Sequence, residues 1–571
     1  MPPIDFDRFE TASRRSTVYS AKGVVCCSQP LAAEAGIAIL RAGGNAADAV
    51  VAMAAALNVT EPVNTGIGGD AFSLYWDAKA RTVTAVNGSG RSAKAMTLDK
   101  AREFGLTGHQ IPYDNVHACT VPGAAAAMVD IQKKLGGGKL SLADVLQPAI
   151  SLAEDGFAVH QMASFEWRQH ENRLLEVQAE SGYPHPMLVN GKAPVTGQFF
   201  SNPQLGASLR KLGAEGKDAF YKGPVAEKIV QAISSRGGLV TLDDLVAHDT
   251  EFTDSISYTY GKEELTVHEC PPNGQGLATL IALGVLDVLH EDGVIDLDSA
   301  QEGSVEWYHA IIEALRIAFA DTTAYVADRS VVKVPVDQLL SKANLRERAK
   351  LFNPHKATPG LTKSDFVTGG DTCYLAAADS EGNAISYIMS NYLGFGSAIA
   401  PEGCGFTLQN RGCAFSLDPA SPNVLAGSKR PFHTIIPAMV TRGDELFVSY
   451  GCMGAVMQPQ GQALILLNLL HNGRDPQLAL DAKRFCIGGT RWHLSSAPFY
   501  NGPVALEDGV DPEVADQLEA MGHEIERVKG ADQLVFGKGQ AILRTVDAVS
   551  GKRIWAAGTD YRGDGCAVPQ I

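Results

Sequence analysis

The sequence predicts a layered α/β protein, with antiparallel-rich sheets inside and helices packed outside them. Three features of the chain point there. Strand-like segments come in pairs and helix-like segments in blocks, not in the strict alternation of a doubly wound parallel fold. The 571 residues suffice for about three to four units of ~150 residues, or for one large layered body. The 45% hydrophobic and 20% charged content is that of a globular protein and excludes a disordered chain. Glycine supplies 58 residues, a tenth of the chain against a usual ~7%, which announces tight turns and close backbone approaches.

The elements follow in order. Leu31–Leu40 and Ala46–Leu57 read as two helices broken at Gly43-Gly44, with small residues on every face for close packing. The Ala-rich run from Ala46 to Val59 is too short to span a bilayer and reads as a buried helix. Phe72–Trp76 and Thr82–Val86 read as strands joined by a polar turn at Asp77–Arg81. Trp307–Val326 carries apolar residues at helical spacing, and Ser341–Leu351 is a helix with Ser341 as its N-cap. His355–Asp371 loses apolar periodicity and reads as a loop. Thr372–Asp379 and Ala384–Ser390 then form a hairpin around Ser380-Glu-Gly-Asn383. Thr434–Val440 and Leu446–Tyr450 are two further strands. Gln462–Leu470 is an apolar helix, and Asp475-Pro476 and Asp511-Pro512 each start another with an N-cap followed by proline.

Charge and motif content narrow the function. A net charge of -16, from 48 basic and 64 acidic residues, argues against a nucleic-acid partner and a polybasic membrane anchor. The opening residues, MPPIDFDRFETASRRS, lack the apolar core of a signal peptide, so a cytoplasmic location is expected. The ten cysteines form no CxxC pair and no zinc quartet, which fits reduced thiols. There is no P-loop, GxSxG, HExxH or EF-hand pattern, and Gly66-Ile-Gly-Gly69 lacks dinucleotide-loop spacing. His309 and Glu313, four apart on one helix, read as structural and not as metal ligands. No metal or organic cofactor is expected.

The informative junction is Gly369-Gly370-Asp371-Thr372, where a glycine loop runs into a strand that begins with threonine. A threonine hydroxyl is a weak nucleophile unless a base adjoins it. Making the residue N-terminal supplies one, since its own α-amine titrates near ~8. A threonine at a strand start also needs no explanation beyond β-propensity.

From about Ser20 to the C-terminus the chain resembles the gamma-glutamyltransferase family of N-terminal-nucleophile hydrolases. The similarity is carried in order by Thr60-Glu-Pro-Val-Asn-Thr-Gly-Ile-Gly-Gly69, Gly90–Ala95, Thr120–Gly123, Pro271-Pro-Asn-Gly-Gln-Gly276, Asp371–Tyr374, Asn383–Ser397, Lys429-Arg-Pro431 and Gly451–Ala455. The resemblance implies a four-layer αββα sandwich. It also implies cleavage of a precursor at Asp371–Thr372 into a large chain, 1–371, and a small chain, 372–571, that stay together as one body. By the same resemblance Thr372 is the nucleophile and Ser390 its hydroxyl partner. Gly454 and Ala455 supply oxyanion N–H groups, and Arg91 clamps a substrate carboxylate. Asn391, Tyr392, Arg411, His433 and Thr434 complete the implied substrate site.

The departures from the family pattern bear on the substrate. Gln409–Ser416 carries Arg411 and Ala414 where polar and acidic residues are expected, and His433 and Thr434 replace paired serines. A pocket without that acid should prefer anionic groups to a free α-ammonium. The branch it resembles includes cephalosporin (glutaryl) acylases and oxamate amidohydrolase. The expected activity is therefore hydrolysis of a small amide whose acyl group bears a carboxylate. The alternatives are a glutathione hydrolase or gamma-glutamyltransferase, and a non-catalytic scaffold.

Overall fold

The computed structural model describes residues 15–261, 265–361, 371–490 and 498–571. Most of the loop expected before Thr372, at 362–370, lies outside them, Gly369 and Gly370 included. Two seven-stranded sheets form the centre. Their strands, in chain order, are β1 (Val18–Ser20), β2 (Val24–Cys27), β3 (Asp70–Asp77), β4 (Thr82–Gly88), β5 (Glu251–Asp254), β6 (Ile256–Tyr260), β7 (Leu265–Glu269), β8 (Asp371–Ala378), β9 (Ala384–Tyr392), β10 (Ala438–Arg442), β11 (Glu445–Cys452), β12 (Gly539–Val546), β13 (Arg553–Thr559) and β14 (Cys566–Pro569). One sheet runs β14-β2-β8-β9-β3-β4-β5 and the other β1-β13-β12-β11-β10-β7-β6, with neighbours antiparallel throughout.

Side-chain alternation along these strands builds three cores. Phe72, Leu74, Tyr374 and Ala376 of the first sheet meet Met439, Ile542 and Trp555 of the second in an inter-sheet core. The outer face of the first sheet, with Cys373, Leu375 and Tyr387, packs on helices α1 (Pro30–Arg41) and α2 (Ala46–Thr60). The outer face of the second, with Val267, Val440 and Val448, packs on α3 (Gly276–Glu291), α4 (Val305–Tyr325) and α5 (Met457–Leu470). The order helix, sheet, sheet, helix is the αββα sandwich. Every residue of α2 is buried, as its all-round apolar composition requires. Strands from both sides of residue 372 interleave in each sheet, so neither segment owns a sheet of its own.

Capping signals were accurate. Ser341, Asp475 and Asp511 each accept a backbone N–H at the start of the helix they precede. Two boundaries differ. The helix expected from Gln462 begins at Met457. The strand expected from Thr434 begins only at Ala438, because glutamine side chains occupy the backbone groups a ladder would use. Gln275 Nε2 donates to Thr434 O at 2.6 Å, Gln458 Oε1 accepts from Ile436 N at 2.9 Å, and Gln462 Nε2 donates to Ile436 O at 3.0 Å. Among the described residues no helix is long and apolar enough to cross a membrane. All ten cysteines are free.

Candidate active site

A bulge in the β8–β9 ladder presents Thr372. Asp371 pairs with Tyr392 and Cys373 with Met389, so Thr372 alone faces two residues, Ser390 and Asn391. An extra residue opposite one position bends the strand and re-aims its side chains. Thr372 is fully buried, and the Gln458 amide Nε2, from the first turn of α5, donates to its Oγ at 3.4 Å. One residue along, Cys373 turns into the helix-side core, where its Sγ donates to Glu61 Oε2 at 3.0 Å. Burial first, then the Glu61 charge, pushes that thiol well above its ordinary value. Thiol nucleophiles act as thiolates, so Cys373 is badly placed to compete.

Past the end of β11 the chain turns through Gly454, φ +114°, and Ala455, φ +54°, before α5 starts. A left-handed alanine costs on the order of 1 kcal/mol and needs an external hold. Gln275 provides one, donating Nε2 to Ala455 O at 2.9 Å. Among the described residues neither the Gly454 nor the Ala455 N–H is given to a protein acceptor.

Beside Ser390 lies a buried charged group. Arg411 Nη2 donates to Ser390 Oγ at 3.3 Å and Nη1 to Thr434 Oγ1 at 2.8 Å, with the guanidinium 4.1 Å over the Tyr392 ring. Tyr392, at φ +80°, also gives its backbone N–H to Ser390 Oγ at 2.8 Å. Burial lowers the Arg411 guanidinium to about 10, against the opposing pull of Tyr392 and Asp70. Asp70, at the start of β3, stands opposite Ser390 in the ladder. Its Oδ1 accepts the Gly90 and Gly123 N–H groups at 2.9 and 3.2 Å, and its Oδ2 meets His433 Nε2 at 3.1 Å. His433 Nδ1 accepts the Ile435 N–H at 3.3 Å, so the ring proton sits on Nε2 and donates to Asp70. Burial, then the Arg411 cation, holds His433 far below its usual value, hence neutral. The two glycines are required: a Cβ on Gly90 would lie 1.5 Å from Val121 O, and one on Gly123 1.9 Å from Gly88 O.

Burial raises the Asp70 carboxyl to about 7, although Arg411, the two N–H groups and Arg430 oppose it. An unfolded aspartate titrates near ~3.9, so between the two values the folded chain keeps a proton that the unfolded chain has released. This group therefore favours the folded state below that window, and the advantage is lost as pH rises through it, on the order of 4 kcal/mol in full. Unfolding of the Thr372→Ala chain against pH should show the decline, and adding Asp70→Asn should flatten it. An unchanged slope would place the Asp70 titration elsewhere.

Residues 32–570 match the sequence pattern of the family described as Gamma-glutamyltranspeptidase. The chain belongs to the gamma-glutamyltranspeptidase family. It is 36% identical over 554 residues to the glutathione hydrolase-like YwrD proenzyme of Bacillus subtilis, covering 97% of this chain and 99% of that one. It is 33% identical over 559 residues to the oxamate amidohydrolase proenzyme of Klebsiella pneumoniae, covering 97% and 99%. The crystal structure of cephalosporin acylase from Bacillus halodurans superposes with a TM-score of 0.86 at 36% identity, over 99% of both chains. The chain is thus an enzyme of the N-terminal-nucleophile hydrolase type, and the αββα order of its layers agrees with these neighbours.

Against that gamma-glutamyltranspeptidase frame, Thr372, Ser390, Tyr392, Arg411, His433 and Thr434 come together, with Gly454 and Ala455 adjoining through α5. Arg91 stands one residue from Gly90 and is 31% exposed at its side chain. Its Nη1 is held by Asp328 at 2.7 Å, Ser330 Oγ at 3.2 Å and Ser428 O at 3.1 Å. Among the described residues its Nη2 and Nε have no protein partner. The Asn391 side chain instead packs beneath the Gly66–Gly69 turn, with Nδ2 on Pro62 O at 3.2 Å. His309 and Glu313 hydrogen-bond different partners: His309 binds His523 and Asn353 O, and Glu313 accepts the Thr358 N–H. Among the described residues no cluster could hold a metal ion. Asp70, Gln275 and Gln458 were not foreseen as site residues. The first two lie inside or against segments that carried the family resemblance, next to Gly69 and within Pro271–Gly276, and only pairing in space gives them a role.

Proposed function

We propose that this chain is a self-processing amidohydrolase that cleaves amides of a small, carboxylate-bearing acyl group through an acyl-enzyme on Thr372. In maturation the Thr372 hydroxyl adds to the Asp371 carbonyl and the peptide C–N bond breaks. The resulting ester is hydrolysed, leaving an Asp371 carboxylate and an N-terminal Thr372. The freed α-amine then takes the hydroxyl proton as Oγ attacks the substrate amide. The Gly454 and Ala455 N–H groups receive the oxyanion. The leaving amine departs with a proton, and water releases the acid. The two chains stay joined by their shared sheets. The named proenzyme relatives support processing, and the buried, thiol-protonated Cys373 supports Thr372 over its neighbour.

The observation that carries the substrate class is the charge beside Ser390. It is a buried guanidinium, and the nearby carboxylate whose charge acts on it, Asp70, already accepts two backbone N–H groups and a histidine N–H. A substrate α-ammonium would meet Arg411 without a free acid, which leaves a charge uncompensated. A glutaryl-type acyl group has no such charge, and Arg91 offers Nε and Nη2 side by side for its distal carboxylate. The matured enzyme should therefore show kcat/KM at least ~10-fold higher for a glutaryl anilide than for the matched γ-glutamyl anilide, about 1.4 kcal/mol of transition-state binding. A preference for the γ-glutamyl compound would overturn this reading. It would promote a glutathione hydrolase or gamma-glutamyltransferase, which the name of the Bacillus subtilis relative favours.

A further inference from the structure

We propose that Gln275 is a positioning residue of the oxyanion hole, holding the Ala455 carbonyl and through it the strained turn whose N–H groups face the reacting carbonyl. The inference rests on the acyl-enzyme reading above. Gln275 occupies the N-cap of α3, yet its side chain makes no capping hydrogen bond to that helix. Gln275 is buried, at 2% exposure, and its side chain crosses instead to the segment after residue 372. Both amide hydrogens are committed there, one to Thr434 O at 2.6 Å and one to Ala455 O at 2.9 Å. Its backbone N–H adds a third bond, to His433 O at 3.0 Å, and His433 N returns one to Asn273 O at 2.9 Å. One glutamine thus ties the loop that carries the Arg411 acceptor Thr434 to the loop that carries the oxyanion donors.

The need for such a tie follows from the backbone. Ala455 sits at φ +54°, where a Cβ is disfavoured. Released, Ala455 would relax toward ordinary dihedrals, and a change in φ would turn the Gly454–Ala455 peptide, which carries its N–H, relative to the rest of the turn. Fixing the Ala455 carbonyl fixes ψ directly and, through the closed turn into α5, restrains φ. The Met457 N–H on Gly454 O, at 2.8 Å, ties the peptide that carries the Ala455 N–H to the helix start, and the Gln458 N–H shares the Ala455 carbonyl at 3.2 Å, so both of these bonds stay within the turn, whereas Gln275 anchors the turn from outside it. An oxyanion donor acts by being in place before the charge develops, so a loosened peptide loses transition-state binding and leaves ground-state binding intact.

The test uses matured two-chain enzyme carrying Gln275→Met, which keeps the length and removes both donors, with Gln275→Asn as the milder variant. Three quantities are read. These are kcat on the amide the wild type cleaves, inhibition by a boronic acid bearing the same carboxyalkyl chain, and binding of the product dicarboxylate. The boronic acid becomes tetrahedral on the Thr372 hydroxyl and places an oxygen in the hole. The expected result is a kcat loss of ~10²-fold, the size of losing one oxyanion donor. Boronate affinity should weaken in parallel, while product affinity changes less than ~3-fold, since distal carboxylate contacts are untouched. Equal weakening of boronate and product, an unchanged kcat, or failure of both variants to mature would each overturn the proposal and leave Gln275 a structural strut. If instead the acyl-enzyme reading is wrong, the wild type itself will form no boronate adduct on Thr372.

Discussion

Thr372→Ala is expected to give a single uncut chain, whereas the wild type separates on a denaturing gel into two without added protease. The effect should be all or none, because the alanine has no oxygen to attack the Asp371 carbonyl. Cys373→Ala should still cut. The strand turns that thiol into the helix-side core, where it is hydrogen-bonded to Glu61 and held protonated. Sequencing the small chain from its N-terminus checks the position, and any first residue other than Thr372 defeats the assignment. A cut Thr372→Ala chain would mean that processing uses another nucleophile.

Removing the buried cation should produce the next largest change. Arg411→Met alone also removes the cation that opposes the rise of the Asp70 carboxyl, so two charges would change at once. Adding Asp70→Asn removes both charges together, so the double variant is the cleaner one to compare. In it, the γ-glutamyl compound should gain at least ~10-fold in kcat/KM relative to the glutaryl compound, about 1.4 kcal/mol, because its α-ammonium no longer meets a buried cation, and the preference shrinks or reverses. Processing involves no external substrate and should persist. Equal losses on both compounds would show that Arg411 serves to orient Ser390, to which it donates at 3.3 Å, and not to select the substrate.

Local features of the chain were legible because local physics decides them. Asp475-Pro476 starts a helix since the carboxylate caps free N–H groups of the first turn whatever surrounds it. The hairpin around Gly382 follows from two β-rich runs and a residue tolerant of φ +104°. The limits appeared where side chains replace backbone partners. Thr434 to Pro437 has strand composition but is loop, because Gln275, Gln458 and Gln462 take its ladder groups. Asn391 shares a segment with Ser390, yet the bulge and pleat send its amide under a glycine turn.

By itself, then, the sequence determined the block order of strands and helices, the helix caps, and the nucleophile candidate with its glycine approach. Each depends on residues within a few positions of one another, or on a family pattern that runs along the chain. Only the tertiary structure decided the charge of the site. Asp70, Gly90, Gly123, Arg411 and His433 are brought together across up to 363 residues of chain, and burial, not residue type, sets their protonation. From the chain alone, the loss of the acid at Ala414 could be noticed. That another aspartate folds in beside Arg411, and arrives already saturated by two glycine N–H groups and a histidine, follows from packing: a buried carboxylate is tolerated only where its lone pairs are met.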